Sequence, residues 1–125
     1  MGTKGARTER ELMDIFASKG YGVLRSAGSG KSRHPAPDIL VGNGQHLLAI
    51  ECKASKGDIV YIDNEQISGL HAFSRSFGAR ALIAFRFNNE PWYLMDTHDL
   101  ERTKTRYKAS KKLVKAKGFL HTSLA

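Results

Sequence analysis

The chain has a single cysteine, three prolines, one tryptophan and no long apolar run. Each shortage excludes something. A lone Cys52 cannot close an intramolecular disulfide, and no Cys or His stands near it at metal-binding spacing, so neither a disulfide scaffold nor a zinc module is expected. No stretch approaches the roughly 18 apolar residues of a membrane span, and the N-terminus has no signal-like apolar segment. The reading is a protein of the cytoplasm that is not bound to membrane, associated with the nucleoid or, if virally encoded, in the host cytoplasm. The five histidines, His34, His46, His71, His98 and His121, show no HxxxH or similar spacing and read as structural or surface residues. Anionic residues are also scarce: twelve Asp and Glu face twenty Lys and Arg, leaving a formal charge of +8. Such a surplus attracts polyanions, and nucleic acid is the first partner to consider.

With 125 residues, 41% apolar and 26% charged, the chain suits one soluble domain spanning 1–125, with a basic C-terminal segment from about 102 to 125. Thr8-Glu9-Arg10-Glu11 has the pattern of a capping box, and Leu12, Met13, Ile15 and Phe16 follow at helical spacing until Lys19-Gly20. The helix could also begin earlier. A short strand over Tyr21–Ser26 leads into a Gly/Ser-rich basic loop, 27–34, closed by Pro35 and Pro37. This loop lacks the lysine pattern of a nucleotide-binding phosphate loop, which argues against an NTPase. Two apolar runs, Asp38–Gly42 and His46–Lys53, flank Asn43-Gly44 and predict a hairpin. A second helix is expected from an N-cap at Asp63 or Asn64, through Ile67, Leu70, Phe73 and Phe77, to a stop at Gly78. Strands follow at 81–87 and 92–95, and Thr97 is expected to cap a short helix through Leu100. No secondary structure is assigned from Arg102 to Lys117, where Lys and Arg dominate.

The hairpin carries the chemistry. A loop centred on Asn43-Gly44 sets Gly42 opposite Gln45 and Asp38 opposite Ala49. Leu47, Ala49, Glu51 and Lys53 then share one face, and Asp38 lies on it, diagonal to Glu51 at roughly 7–8 Å between backbones. An Asp or a Glu-x-Lys pair alone is usually a solvated feature. Here Ile39, Leu40, Val41, Leu48, Ala49, Ile50 and Cys52 surround the three charges, and charges in a buried setting need a partner such as a metal. Two carboxylates can hold a divalent cation, and a lysine beside them can orient water and offset phosphate charge, which together suit phosphodiester hydrolysis. Oxygen ligands favour Mg²⁺, with Mn²⁺ as substitute, over zinc. Glu9 adds a fourth charge, because it extends the apolar stripe of the first helix. Cys52 points to the opposite face, as a small core residue.

These residues resemble a known family. Lys4-Gly5-Ala6 through Glu9-Arg10-Glu11-Leu12, then Arg25-Ser26-Ala27-Gly28-Ser29, Pro37-Asp38-Ile39 and Ile50-Glu51-Cys52-Lys53 resemble the archaeal-type Holliday junction resolvases of the PD-(D/E)xK nuclease superfamily. The likeness continues more weakly through Gln66, Leu70, Phe73 and Phe77-Gly78-Ala79. It implies an α/β, restriction-endonuclease-like fold, a mixed central sheet flanked by helices. It also implies a homodimeric, Mg²⁺-dependent endodeoxyribonuclease that makes paired cuts in opposing strands of four-way junction DNA and uses no small-molecule cofactor. By the same resemblance Glu9, Asp38, Glu51 and Lys53 are catalytic, the three acids being metal ligands. Lys4, Arg10, Arg25, Ser29, Lys31, Ser32 and Arg33 fall in regions that contact DNA, and Gln66 resembles a polar residue beside the site. Two alternatives stand beside this reading: a nuclease of the same kind acting on other DNA structures, and a non-catalytic nucleic-acid-binding module. If the protein dimerises, Phe73, Phe77, Phe85 and Trp92 are the candidate interface residues.

Overall fold

The structure is a computed structural model that describes residues 4–26 and 34–123. The elements run α1 (Lys4–Ser18), β1 (Gly22–Arg25), β2 (Ile39–Gly42), β3 (Leu47–Ser55), β4 (Ile59–Asp63), α2 (Asn64–Phe77), β5 (Arg80–Phe87) and β6 (Trp92–Asp96). A 3-10 turn over Thr97–Asp99 leads to β7 (Glu101–Arg102), β8 (Arg106–Ser110), α3 (Lys111–Lys117) and β9 (Phe119–Leu120).

A six-stranded sheet in the order β1-β2-β3-β5-β6-β9 forms the centre, antiparallel throughout except for the pair β3 and β5. Parallel neighbours need a crossover, which α2 supplies. Period-two alternation divides β3 between two cores. Leu48 and Ile50 join Leu12 and Phe16 of α1 with Leu82, Ala84, Trp92 and Leu94. Ala49 joins Ile67 and Leu70 of α2 with Ile83, Phe85, Met95 and the inner residues of a second sheet. Both faces of the central strands are covered, which is why they read as near-continuous apolar runs. The second sheet, three-stranded in the order β4-β8-β7, lies on the α2 side and buries Val60, Ile62 and Ala109 in that core. The mixed central sheet with flanking helices is the expected α/β architecture.

Several expectations change in detail. The first helix begins at Lys4, so Thr8–Glu11 lies inside it and is not its N-terminal box. The hairpin turns around Gly44-Gln45: the Asn43 N–H donates to His46 O at 3.1 Å, and Asn43 Oδ1 accepts from the Gln45 and His46 N–H groups at 2.9 and 2.7 Å. Only Gly44 of this turn has positive φ, +90°, and the asparagine side chain closes the turn from its flank. The register therefore pairs Gly42 with Leu47 and Ile39 with Ile50, shifted by two residues from expectation. A shift of two leaves every residue on its expected face. Asp38, however, comes opposite Glu51 instead of Ala49. The second helix is as expected, with Asp63 as N-cap and Gly78 in the left-handed conformation at φ 72°. Asp96, not Thr97, caps the 3-10 turn, its Oδ1 accepting from the His98 N–H at 3.0 Å. Phe85 and Trp92 are buried in the two cores and are unavailable to an interface. The unassigned basic segment proves ordered, as β8 and α3 above all.

Candidate active site

The second half of β3 leaves the apolar sandwich while keeping its alternation, so Glu51 and Lys53 emerge on the α2 side and Cys52 on the α1 side. Asp38 immediately precedes β2. Its backbone carbonyl accepts from the Ser26 N–H at 2.9 Å, and its Oδ2 accepts from the Cys52 N–H at 2.8 Å. The carboxylate is thus tied to the strand that carries Glu51. Three acids share the neighbourhood, and Glu51 registers the cost. Burial, then the Asp38 charge, push its carboxyl up to about 7 from the ordinary 4.5; Glu9 adds to the rise, while Lys53 and the Asp38 backbone N–H oppose it. Burial likewise pushes the Cys52 thiol well above its usual range, with Asp38, Glu9 and Glu51 adding to the effect. That matches an inert core cysteine.

Gln66 knits the site together. Its Nε2 donates to Glu51 Oε2 at 3.3 Å, and its Oε1 accepts from Lys53 Nζ at 3.2 Å and from the Asp63 N–H at 3.4 Å. An amide can serve both charges because it carries donor and acceptor on one plane. Its place in the first turn of α2 fixes its height over β3, directly beside the two charged side chains.

Glu9 is placed differently. Its Oε1 accepts from Arg25 Nε at 2.8 Å, with 18% of its side chain exposed against 35% of the arginine's. Its charge reaches Glu51, but among the described residues no group of three or more His, Cys, Asp or Glu side chains is placed to hold a metal ion. The close pair is Asp38 and Glu51. Arg10 is exposed on α1. Ser29, Lys31, Ser32, Arg33 and the side chain of Lys4 lie outside the described residues.

Two concavities flank the site. One of about 160 Å³ is lined by Pro35, Ala36, Glu51, Glu65, Gln66, Gly69 and Leu70. A groove of about 690 Å³ runs from Cys52 and Lys53 past Lys56 to Arg86, Asn88 and Asn89, with Thr8 and Glu11 along its other side. Glu11 has a role that its own segment does not reveal. Its Oε1 accepts from Arg86 Nε at 3.0 Å and from Trp92 Nε1 at 2.8 Å, fastening α1 over the ends of β5 and β6. Nothing in the local sequence pairs positions this far apart.

The family model described as archaeal Holliday junction resolvase (Hjc) matches residues 1–123. A crossover junction endodeoxyribonuclease Hjc of Archaeoglobus fulgidus is 39% identical over 108 residues, 86% of this chain and 79% of that protein. A crossover junction endodeoxyribonuclease Hje of Sulfolobus acidocaldarius is 36% identical over 100 residues, 78% of this chain and 72% of that one. The crystal structure of Archaeoglobus fulgidus Hjc, described as a Holliday junction resolvase, superposes with a TM-score of 0.87 at 34% identity, covering 93% of this chain and 95% of that chain.

Proposed function

The chain belongs to the archaeal Holliday junction resolvase family, and from that premise we propose that it cuts four-way junctions as a Mg²⁺-dependent homodimer through Asp38, Glu51 and Lys53. It is a structure-specific DNA endonuclease. The observation that carries the site assignment is the Asp38–Glu51 pair at the rim of the sheet, with Lys53 bound to the same Gln66 amide as Glu51.

The donor set fits a hard divalent cation. Asp38 and Glu51 offer carboxylate oxygens, and burial, then the Asp38 charge, raise the Glu51 carboxyl, a penalty on the ionised pair that a dication would relieve. These two residues would hold it, joined by Glu9 if that side chain exchanges its arginine. When bound, Mg²⁺ or Mn²⁺ supplies charge neutralisation and activation of a water. The protein's own work is positional. Gln66 Oε1 holds Lys53 Nζ beside the carboxylates, where the ammonium can donate to a phosphate oxygen. Arg25, on the strand leading into the basic loop, and Arg10, exposed on α1, are suited to backbone phosphates.

A junction has two strands to cut, and one chain presents one such carboxylate pair, so a two-fold dimer is the economical arrangement. Of the four aromatic candidates only Phe73 and Phe77 are placed to serve: they stack at 4.4 Å on α2, with Phe77 53% exposed. No helix of the described residues is long and apolar enough to cross a membrane; the junction substrate itself is what favours a cytoplasmic, nucleoid-associated enzyme. Incubation with Mg²⁺ of a four-way junction beside a linear duplex of the same sequence tests the reading. Paired nicks in the junction and an intact duplex are expected. Ca²⁺ should support little cutting, because its looser coordination places water poorly. Equal cutting of the duplex would move the protein to the broader nuclease reading, and no cutting of either would overturn catalysis.

A further inference from the structure

Eight of the twenty Lys and Arg residues lie between Arg102 and Lys117, and none of the twelve Asp and Glu does. The remaining chain therefore carries twelve of each sign. The whole formal surplus of +8 belongs to one stretch, and the fold gathers that stretch into β8, α3 and the end of β7. A polyanion is steered by where charge is concentrated, and here it is concentrated outside the carboxylate site.

The second sheet shows how this charge is presented. Ala109 of β8 faces the core beside Val60 and Ile62 of β4, so the alternate residues Arg106, Lys108 and Ser110 face outward with Ile59, Tyr61 and Asp63. Tyr61, 45% exposed, carries the Arg106 guanidinium over its ring at 4.2 Å. Stacking fixes the plane of the guanidinium and leaves its in-plane N–H donors directed along the surface, the geometry that suits bidentate contact with phosphate. At the other end of the same face, Ile59 and Ser110 line a shallow concavity of about 620 Å³ together with Lys111, Lys112, Lys115 and one acid, Asp58, which lies 3.6 Å from Lys111. Lys108, Lys111 and Lys115 have acids within 3.4 to 3.9 Å, whereas Arg106 and Lys112 have none in salt-bridge range among the described residues. The face also meets the site: Asp63, paired with Arg106, donates its N–H to Gln66.

We propose that the outward face of β4 and β8, continued by the lysines of α3, binds the phosphate backbone of a junction arm beside the cleaved strand, with Tyr61 as the seat that positions Arg106. The proposal rests on the junction-cleaving reading and extends it to a surface that reading does not use. The alternative occupant is a second copy of the chain, which would bring the unpaired Arg106 and Lys112 against like charges.

The test measures binding of the full-length protein to a fluorescent four-way junction in EDTA across a salt series. Arg106→Gln with Lys112→Gln should weaken binding at least tenfold at low salt and reduce the slope of log K against log salt by about 2, near one unit per lost phosphate contact. Lys19→Gln with Arg75→Gln removes the same charge elsewhere and should leave the slope unchanged. Tyr61→Leu removes no charge and should weaken binding several-fold with little change of slope, since it disorders a contact without deleting one. Wild-type slope and affinity in the Arg106/Lys112 variant would overturn the proposal. So would a dimeric wild type whose Arg106/Lys112 variant sediments as a monomer, which would make the face a subunit interface. A wild-type protein that cuts no junction would refute the catalytic reading alone, because the binding series is read without metal.

Discussion

The two faces of strand β3 are made from alternate residues of one nine-residue segment, yet they meet opposite demands. Toward α1, Leu48 and Ile50 are buried in an apolar core, with Cys52 packed at its edge. Toward α2, Ala49 is followed by Glu51 and Lys53, and the apolar layer opens onto an acid, an amide and an ammonium. The first face is held by packing, where apolar exchanges that conserve volume cost least. The second is held by directed bonds and includes a carboxylate, Glu51, whose ionisation is opposed by burial and by the neighbouring acids.

That contrast can be broken most strongly on the charged face. Asp38→Asn, Glu51→Gln and Lys53→Ala should each lower cleavage by at least roughly 10³-fold, the consequence of losing several kcal/mol of charge stabilisation in the transition state. Junction binding measured on the same preparations should persist, because affinity comes from basic residues elsewhere. Substantial activity in any of the three would remove the site. On the apolar face the loss should appear as stability: Ile50→Ala, fully buried, is expected to cost about 3 kcal/mol in urea unfolding. A cost near zero would show that this face is loosely packed.

A smaller effect sharpens the comparison by its sign. The folded Glu51 carboxyl titrates near 7 against an ordinary 4.5, so the folded chain retains a proton that the unfolded chain has released. Stability therefore falls as pH rises from about 4.5 and is fully reduced above about 7. Glu51→Gln is neutral throughout, and in EDTA at pH 8 it should be more stable than the wild type by about 2 kcal/mol, the full shift being discounted for solvent screening. At pH 4 the two should be alike. A variant less stable at pH 8 would mean that the charged carboxylate is a net stabilising partner of Lys53.

Much of this contrast is legible in the amino-acid sequence. Alternation assigns Asp38, Glu51 and Lys53 to one face, and that assignment survives a wrong register because the true turn, centred on Gly44-Gln45, displaces the pairing by two residues and not by one. Had the loop been odd in length, Asp38 would have been lost to the other side. The Thr8–Glu11 pattern misleads for a local reason: a capping box is a statement about one turn, and the helix already runs from Lys4. The second sheet is invisible in the sequence because β4 has apolar residues on both faces, Ile59 and Tyr61 outside with Val60 and Ile62 inside, while β8 hides Tyr107 and Ala109 between cations. Glu9 is legible as an acid on an apolar stripe, but its engagement with Arg25 joins two elements that the sequence does not relate.

The pairing of β4 with β8 also bears on the order in which the enzyme comes into being. Strand β4 leads directly into the turn of α2 that holds Gln66, yet its hydrogen-bonding partner lies in the last fifth of the chain. Closing so long a loop carries an entropic cost that nearby contacts do not, so the central hairpins can form early while this sheet waits. In chain order Asp38, Glu51 and Gln66 all precede β8, the strand that pairs with β4. The frame around Gln66 is therefore completed only by a contact between distant parts of the sequence, and the basic segment supplies it.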